Sequence, residues 1–171
     1  MNSSSSSEGH TVSQIALPEI GISQVLGLLE LLLGKEGGRE DIYKLAGELS
    51  MELGETLTVI KAAEMLGLVH TPGGDVEVVP FGAQVGDASI IDRKNLLCGK
   101  IEKLPVFKKV QDYLNEQVDR EISREDVLEK LAELLPNEDA ESSFSTLVSW
   151  GRYVELFGYN DDTQTFYLDQ G

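Results

Sequence analysis

The stretch "LVHTPGGDVEVVP", Leu68 to Pro80, is where the chain changes period, and that change decides the fold class. Two short β-favouring runs flank Pro72-Gly73-Gly74, which reads as a hairpin closed by a tight glycine turn. The residues before it have helical spacing instead. Glu55 to Leu66 carries Leu57, Ile60, Ala63 and Leu66 at intervals of three and stops at Gly67. Upstream, "REDIYKLAGELSMELG" aligns Ile42, Leu45, Ala46 and Leu49 on one stripe and predicts a helix after the Gly37-Gly38 break. Farther back, Ile22, Val25, Leu26, Leu29, Leu32 and Leu33 predict a first helix that ends at Gly34. Three helices followed by a two-stranded wing is the order of a winged-helix-like unit.

Within that first helix end, "LGLLELLLGKEGGRED" (Leu26 to Asp41) offers a Gly-Lys pair of the kind that closes a phosphate-binding loop. Such a loop requires G-x-x-x-x-G-K-[ST], whose backbone amides wrap the phosphates while Lys and a hydroxyl reach the terminal phosphate and its magnesium. Leu29 stands at the first glycine position, and Glu36 places a repelling carboxylate where the hydroxyl belongs. A phosphate loop also follows a strand, whereas this apolar run is helical. The segment reads as a helix end.

Downstream the same order returns. Phe107, Val110, Tyr113 and Leu114 predict a helix, "SREDVLEKLAELLP" a second and "EDAESSFSTLVSWGRYVELF" a third ending near Gly151. "YVELFGY" and "TQTFYLD" then flank Asn160, Asp161 and Asp162, whose short polar side chains favour a turn. Arg39-Glu40-Asp41-Ile42 matches Arg124-Glu125-Asp126-Val127, Leu45-Ala46 matches Leu131-Ala132, and Gly67 matches Gly151. These pairs point to an internal duplication, the alternative being the general likeness of amphipathic helices that begin with charge. Between the halves, "ASIIDRKNLLCGKIEKLP" places Ile90, Leu97, Ile101 and Leu104 on one face and predicts a connecting helix. The expected fold is mainly α with small β-hairpins, an α+β class, built as tandem winged-helix-like units. The expected bounds are a disordered Ser-rich tail over 1–17, a first unit over 18–88, and the connecting helix with the second unit over 89–169.

Thirty acidic residues against fourteen basic ones give the 171-residue chain a formal charge of −16. That charge repels nucleic acid and anionic lipid at long range, so nucleic acid is disfavoured as a partner. With Cys98 the only cysteine, no intramolecular disulfide forms, and a reducing cytoplasm fits. The longest strongly apolar run, Val25 to Leu33, is too short to span a bilayer and contains Glu30, so no membrane insertion is expected.

The residues that carry chemistry in other proteins are thinly spread. His10 lies in the tail and His70 at a wing strand, with no second ligand at metal spacing, and Cys98 sits in an apolar stretch without a neighbouring base. "NDDTQ" lacks the ligand ladder, central glycine and terminal Glu of a calcium loop. No catalytic residue, metal site or cofactor is expected. From Asp112 to Glu141, eleven acidic residues face three basic ones, the pattern of solvated helix faces. The two third helices are poor readers of DNA, since Lys61 stands against Glu55 and Glu64, and Arg152 against Glu138, Asp139 and Glu141. The exception is Asp92 to Lys109, where Arg93, Lys94, Lys100, Lys103, Lys108 and Lys109 outnumber Asp92 and Glu102. This stretch reads either as a protein-docking patch or as the exposed flank of an amphipathic helix.

At "PEIGISQVLGLLELL", "DRKNLLCGKIEKLP" and above all "SWGRYVELFGYNDDTQTFYLD", the chain resembles the AAA-associated domain found at the C-terminus of some prokaryotic ABC-transporter ATPases of the nitrate, sulfonate and taurine class. The resemblance runs from about Pro18 to Asp169 and is most specific at Trp150-Gly151-Arg152-Tyr153, Glu155-Leu156-Phe157 and Tyr159. It implies a non-catalytic accessory or regulatory module that meets an ABC-transporter ATPase subunit in cis or in trans. The chain itself has neither a Walker motif nor the signature Leu-Ser-Gly-Gly-Gln. Its expected place is the cytoplasm, peripheral to the inner membrane face through a transporter, and self-association through exposed wings is compatible with this. Trp150, Arg152, Tyr153, Phe157 and Tyr159 are expected to anchor the wing to the core or to form an interface hot spot, the core role being favoured. The competing function is a winged-helix transcription regulator that binds DNA or a protein.

Overall fold

Apolar residues at helical intervals build α1 (Ile22–Leu33), which buries Val25, Leu28, Leu29 and Leu32 completely or nearly so. Each such side chain contributes roughly 1.5–3 kcal/mol by leaving water. Leu28 takes the inward place expected of Leu26, and Leu33 remains exposed. At the start of α1, the Gln24 side-chain oxygen accepts from the Gly21 amide at 3.2 Å, satisfying one free donor. Gly34 closes the helix in a right-handed conformation, and the left-handed turn comes later, at Gly37 (φ 69°) and Gly38 (φ 62°). The computed structural model describes residues 16–135 and 140–168. Residues 1–15 of the expected Ser-rich tail, with His10, and Glu138, Asp139 and Asp169 lie outside the described residues, whereas Leu17, at the tail's expected end, is buried.

In the first unit, Ile20–Lys100, α1 leads into β1 (Arg39–Asp41), α2 (Ile42–Leu49), α3 (Leu53–Met65), β2 (Val69–His70), β3 (Asp75–Val78), α4 (Pro80–Asp87) and nearly all of α5 (Ile90–Ile101). The helix expected from Arg39 begins at Ile42, because Arg39–Asp41 pairs antiparallel with β3, Glu40 facing Val76. Asp41 ends the strand and caps the helix, its Oδ1 accepting from the amides of Tyr43 and Lys44 at 2.9 and 3.2 Å. The sheet order is β1-β3-β2, so the expected two-stranded wing has a third strand.

On α3 the inward face is Thr56, Val59, Ile60, Ala62 and Ala63, while Leu57 is 46% exposed. A spacing of three drifts around a helix of 3.6 residues per turn, which carries Leu57 off the stripe. α4 was not legible in a Gly-rich sequence. It starts with Pro80 at its first position, and Gly82 lets it approach so closely that a Cβ there would lie 2.1 Å from the Leu68 carbonyl oxygen. On α5, Leu97 and Ile101 are buried as expected, but Ile90 is 75% exposed.

The second unit comprises Ile101–Gly171 with Met1–Glu19. Its described elements are α6 (Pro105–Glu116), β4 (Glu121–Ser123), α7 (Arg124–Leu134), α8 (Ala140–Tyr153), β5 (Gly158–Asn160) and β6 (Thr165–Tyr167). The sheet order β4-β6-β5 matches that of the first unit, and the fold is α+β in both. Ser123 takes the place of Asp41, ending the strand and capping α7 with its hydroxyl 3.2 Å from the Asp126 amide. Arg124-Glu125-Asp126 is thus the first turn of a helix, whereas Arg39-Glu40-Asp41 is a strand, and the two tripeptides are not structural counterparts. The early residues of this unit are tied in by Thr146, whose hydroxyl donates to the Pro18 carbonyl at 2.7 Å.

Candidate interaction surfaces

The aromatic anchors lie at the joint between α8 and its hairpin. Trp150 is fully buried and stacks on Phe107 with ring centroids 6.1 Å apart and planes within 5°. Phe157 lies 6.4 Å from Phe107 and meets Phe166 edge-on at 5.3 Å, while Phe144 meets Phe166 and Tyr159 at 5.4 and 5.6 Å. Two glycines make this packing possible. A Cβ on Gly151 would stand 2.3 Å from the Phe157 ring, and one on Gly158 would stand 2.2 Å from the Tyr167 ring.

Gly151 is therefore a packing glycine within α8, which continues to Tyr153. The residue that turns the chain is Glu155, at φ 59°. Its amide bonds to the Arg152 carbonyl at 3.1 Å, and the Leu156 amide to that of Gly151 at 2.9 Å. In the first unit the Gly67 and Leu68 amides bond to the carbonyls of Glu64 and Ala63 at 3.0 and 2.9 Å. Glu155 is thus the counterpart of Gly67, and Gly151 that of Ala63. Arg152 locks the joint from outside: it donates to the Tyr159 carbonyl, lies 5.4 Å over the Tyr159 ring and pairs with Asp161 at 3.0 Å. Tyr153 is half-buried and also has interaction partners.

The six basic residues of the 92–109 stretch divide between the two units. Arg93 is tied into the first: its guanidinium donates to the Val85 and Gly86 carbonyls at 3.2 and 3.1 Å and lies 3.8 Å from Glu30. Lys100 lies 4.6 Å over the Phe81 ring, and Lys94 is half-buried with interactions of its own. Lys103, Lys108 and Lys109 are exposed in the second unit.

The outward face of α3 presents Leu53, Glu55, Leu57, Lys61 and Glu64, in which two carboxylates stand against one ammonium. On α8 the outward residues include Glu141, Ser145, Ser149 and Arg152. Near its start, Arg124 lies 5.0 Å over Phe144 and pairs with Glu141 at 2.5 Å. Arg124 and Arg152 are both neutralised by carboxylates of their own chain, so a phosphate would have to displace those partners.

A charged strip crosses the first sheet. Arg39 pairs with Asp75 and Glu77 at 2.8 and 3.0 Å, and the His70 Nε2 lies 2.9 Å from the Glu77 carboxylate. The bond from His70, then that from Arg39, holds the Glu77 carboxyl below the usual carboxylate range. On the neighbouring edge, Lys35 pairs with Glu48 at 2.7 Å, and that bond raises the ammonium above its ordinary value.

A groove of about 280 Å³ opens between α6 and α7 in the second unit. The buried side chains of Val110, Val127 and Leu131 form its floor with the half-buried Leu134, and its charged rim joins Asp112, Glu116 and Glu133 to Lys109 and Lys130, the last 4.0 Å from Glu133. Tyr113 lies half-exposed in it, with the Lys130 ammonium 4.9 Å from the ring centroid. The sequence marked Tyr113 only as one residue of an apolar stripe. The pairing with Lys130 depends on two helices packing together, which no local spacing reports.

Among the described residues, no helix is long and apolar enough to cross a membrane. The family model described as the C-terminal AAA-associated domain matches residues 43–160, from α2 to the end of β5. No curated protein and no solved structure matches the chain.

Proposed function

The chain belongs to the C-terminal AAA-associated domain family, and on that premise we propose that it is a non-catalytic interaction module for the ATPase subunit of an ABC importer of the nitrate, sulfonate and taurine class. The observation that carries this reading is the family match over 43–160, which covers most of both units. It works in the cytoplasm, at the membrane only through its transporter. The surface favours protein contact: its apolar groove is rimmed by charge, and the arginines beside α8 are already paired. The mechanism is differential contact. A module that binds open and closed nucleotide-binding dimers with unequal affinity shifts their equilibrium and so sets the rate of ATP hydrolysis.

The test is reconstitution. Added to a purified importer ATPase with its permease, the chain should co-purify with the complex and change its ATP turnover. Failure of the correctly folded protein to bind either subunit would remove the reading.

A second reading, a winged-helix-like transcription regulator, is favoured by one observation: both units share the helix, strand, helix, helix, hairpin order with the same sheet order. It requires phosphate anchors on a chain of net charge −16. A gel shift that weakens steeply between low and moderate salt would establish it, because counterion release gives DNA binding that dependence.

A further inference from the structure

A β-sheet leaves main-chain amides and carbonyls unpaired along its outer strands, and another chain can pair with them unless something occupies them. The direction of those groups follows from the ladder. In the second sheet the Arg124 amide bonds to the Gln164 carbonyl at 2.9 Å and the Leu168 amide to the Arg120 carbonyl at 3.2 Å. Antiparallel pairing alternates, so Phe166, midway between those bonds and opposite Ile122, turns its amide and carbonyl to β4. Thr165 and Tyr167 then turn theirs to β5, where Asn160 and Gly158 answer. Tyr159 is left with its main-chain groups directed away from β6, at the sheet's outer edge.

Arg152 occupies that edge. From the last turn of α8 its guanidinium donates to the Tyr159 carbonyl, pairs with Asp161 of the turn beyond β5 at 3.0 Å and lies 5.4 Å from the Tyr159 ring centroid. Nothing within β5 itself discourages a neighbour, since Gly158-Tyr159-Asn160 holds neither charge nor proline. Two other edges are closed by the same device. The Glu121 amide on β4 donates to Asp119 Oδ1 at 3.2 Å, and the Asp41 amide on β1 donates to Glu40 Oε1 at 2.9 Å, both groups being outward by the same alternation. There the closing side chain is a near neighbour in sequence, whereas Arg152 reaches Tyr159 from another element, seven residues away.

We propose that Arg152 is an edge guard, and that the strand it excludes is β5 of a second copy of this chain. Paired antiparallel about Tyr159, two copies of β5 are self-complementary: each Tyr159 amide meets the other's carbonyl, as a two-fold axis requires. Asn160 then stands opposite Gly158 and Asp161 opposite Phe157, so no like charges face each other across the pair. Removing the guanidinium frees the acceptor. It also makes a chain of net charge −16 more negative by one, so the association it releases works against electrostatic repulsion and is driven by the opened edge. The guard acts on the chain alone, whether or not an ATPase is its partner.

The experiment uses the full chain and three variants. Arg152→Ala removes donors and stem, Arg152→Met keeps an apolar stem over the Tyr159 ring and removes the donors, and Arg152→Lys keeps a cation that can still donate to the carbonyl. Sedimentation velocity at physiological salt reads the oligomeric state. Amide hydrogen exchange by NMR, at low micromolar and at near-millimolar protein, reads the edge itself. Wild type and Arg152→Lys should stay monomeric across this range. Arg152→Ala and Arg152→Met should dimerise, with a dissociation constant at least about tenfold below the limit that the wild type sets. In both, the Tyr159 amide should become protected as concentration rises, while the Gly158 and Asn160 amides, already bonded to β6, should not change.

A role confined to bracing the joint gives a different result: faster exchange throughout β5, equal at both concentrations, in a chain that stays monomeric. That outcome would overturn the proposal. Dimerisation of Arg152→Met without protection at Tyr159 would do the same, since the contact would then lie elsewhere. Concentration-dependent protection of Tyr159 in the wild type would mean that the edge is not guarded, and equal dimerisation of Arg152→Lys would refute the part played by the donated bond. Urea unfolding verifies that each variant is folded, and Arg152→Met carries the test where Arg152→Ala does not fold.

Discussion

Gly151 and Gly27 are both helical glycines, and their surroundings give them opposite roles. Gly151 has the Phe157 ring where its side chain would be, while nothing lies within 4 Å of a Cβ placed on Gly27. Gly151→Ala should therefore push Phe157 out of its stack and cost about 1–3 kcal/mol. Gly27→Ala fills open space, removes backbone freedom from the unfolded chain and should stabilise by about 0.5–1 kcal/mol. Urea midpoints measure both, and a Gly151→Ala midpoint equal to or above the wild type would refute the packing account. Glu77 provides a pH signature at the same scale. Its folded carboxyl titrates below its unfolded value, so its contribution is complete above the unfolded pKa, near 4.3, and is lost as pH falls through the folded one. Glu77→Gln should lower the unfolding midpoint at pH 7, and the gap to wild type should narrow as pH falls below the unfolded pKa. A gap that does not change with pH would assign the loss to shape instead of charge.

The elements most legible in the sequence were the helices with a buried stripe, because α1, α3, α6 and α8 repeat apolar residues at a period that survives packing. Strands β1 and β4 were hidden. Each is three residues long and mostly polar, and Arg39-Glu40-Asp41 looks locally like a helix's first turn. Only long-range pairing, Glu40 with Val76 and Ile122 with Phe166, makes them strands. The same limit applies to the candidate groove, whose lining joins α6 and α7 through contacts that neither helix announces. Of the wing aromatics Trp150, Phe157 and Tyr159 are buried and Tyr153 is half-buried, while Gly151, read from the sequence as a helix stop, is a packing residue and Glu155 makes the turn. The strand-to-helix junctions give a check on the corrected correspondence. Asp41→Ala and Ser123→Ala each remove the oxygen that caps the next helix, and each should cost about 1 kcal/mol. Asp126→Ala, the residue that sequence matching alone equates with Asp41, supplies no cap oxygen and should cost less than Asp41→Ala in the same urea assay.

At the scale of the whole molecule, charge decides behaviour that no single contact does. Fourteen bases are too few to pair thirty acids, so even complete pairing would leave sixteen carboxylates facing one another at neutral pH. The ion pairs among the described residues are mostly exposed, and each such pair is worth at most about 1 kcal/mol. Added salt weakens both those attractions and the collective repulsion, and with this excess of one sign the repulsion is the larger loss. Raising sodium chloride from about 10 mM to 300 mM should therefore raise the melting temperature at pH 7, by roughly 2–4 °C for each kcal/mol of repulsion screened. The effect should shrink towards the sequence pI near 4.4, where the net charge vanishes, which separates screening from a general action of salt on hydration. A melting temperature that falls with salt at pH 7 would mean that the local pairs, led by Arg39 with Asp75 and Glu77, outweigh the global field. A rise of equal size at both pH values would instead point to hydration.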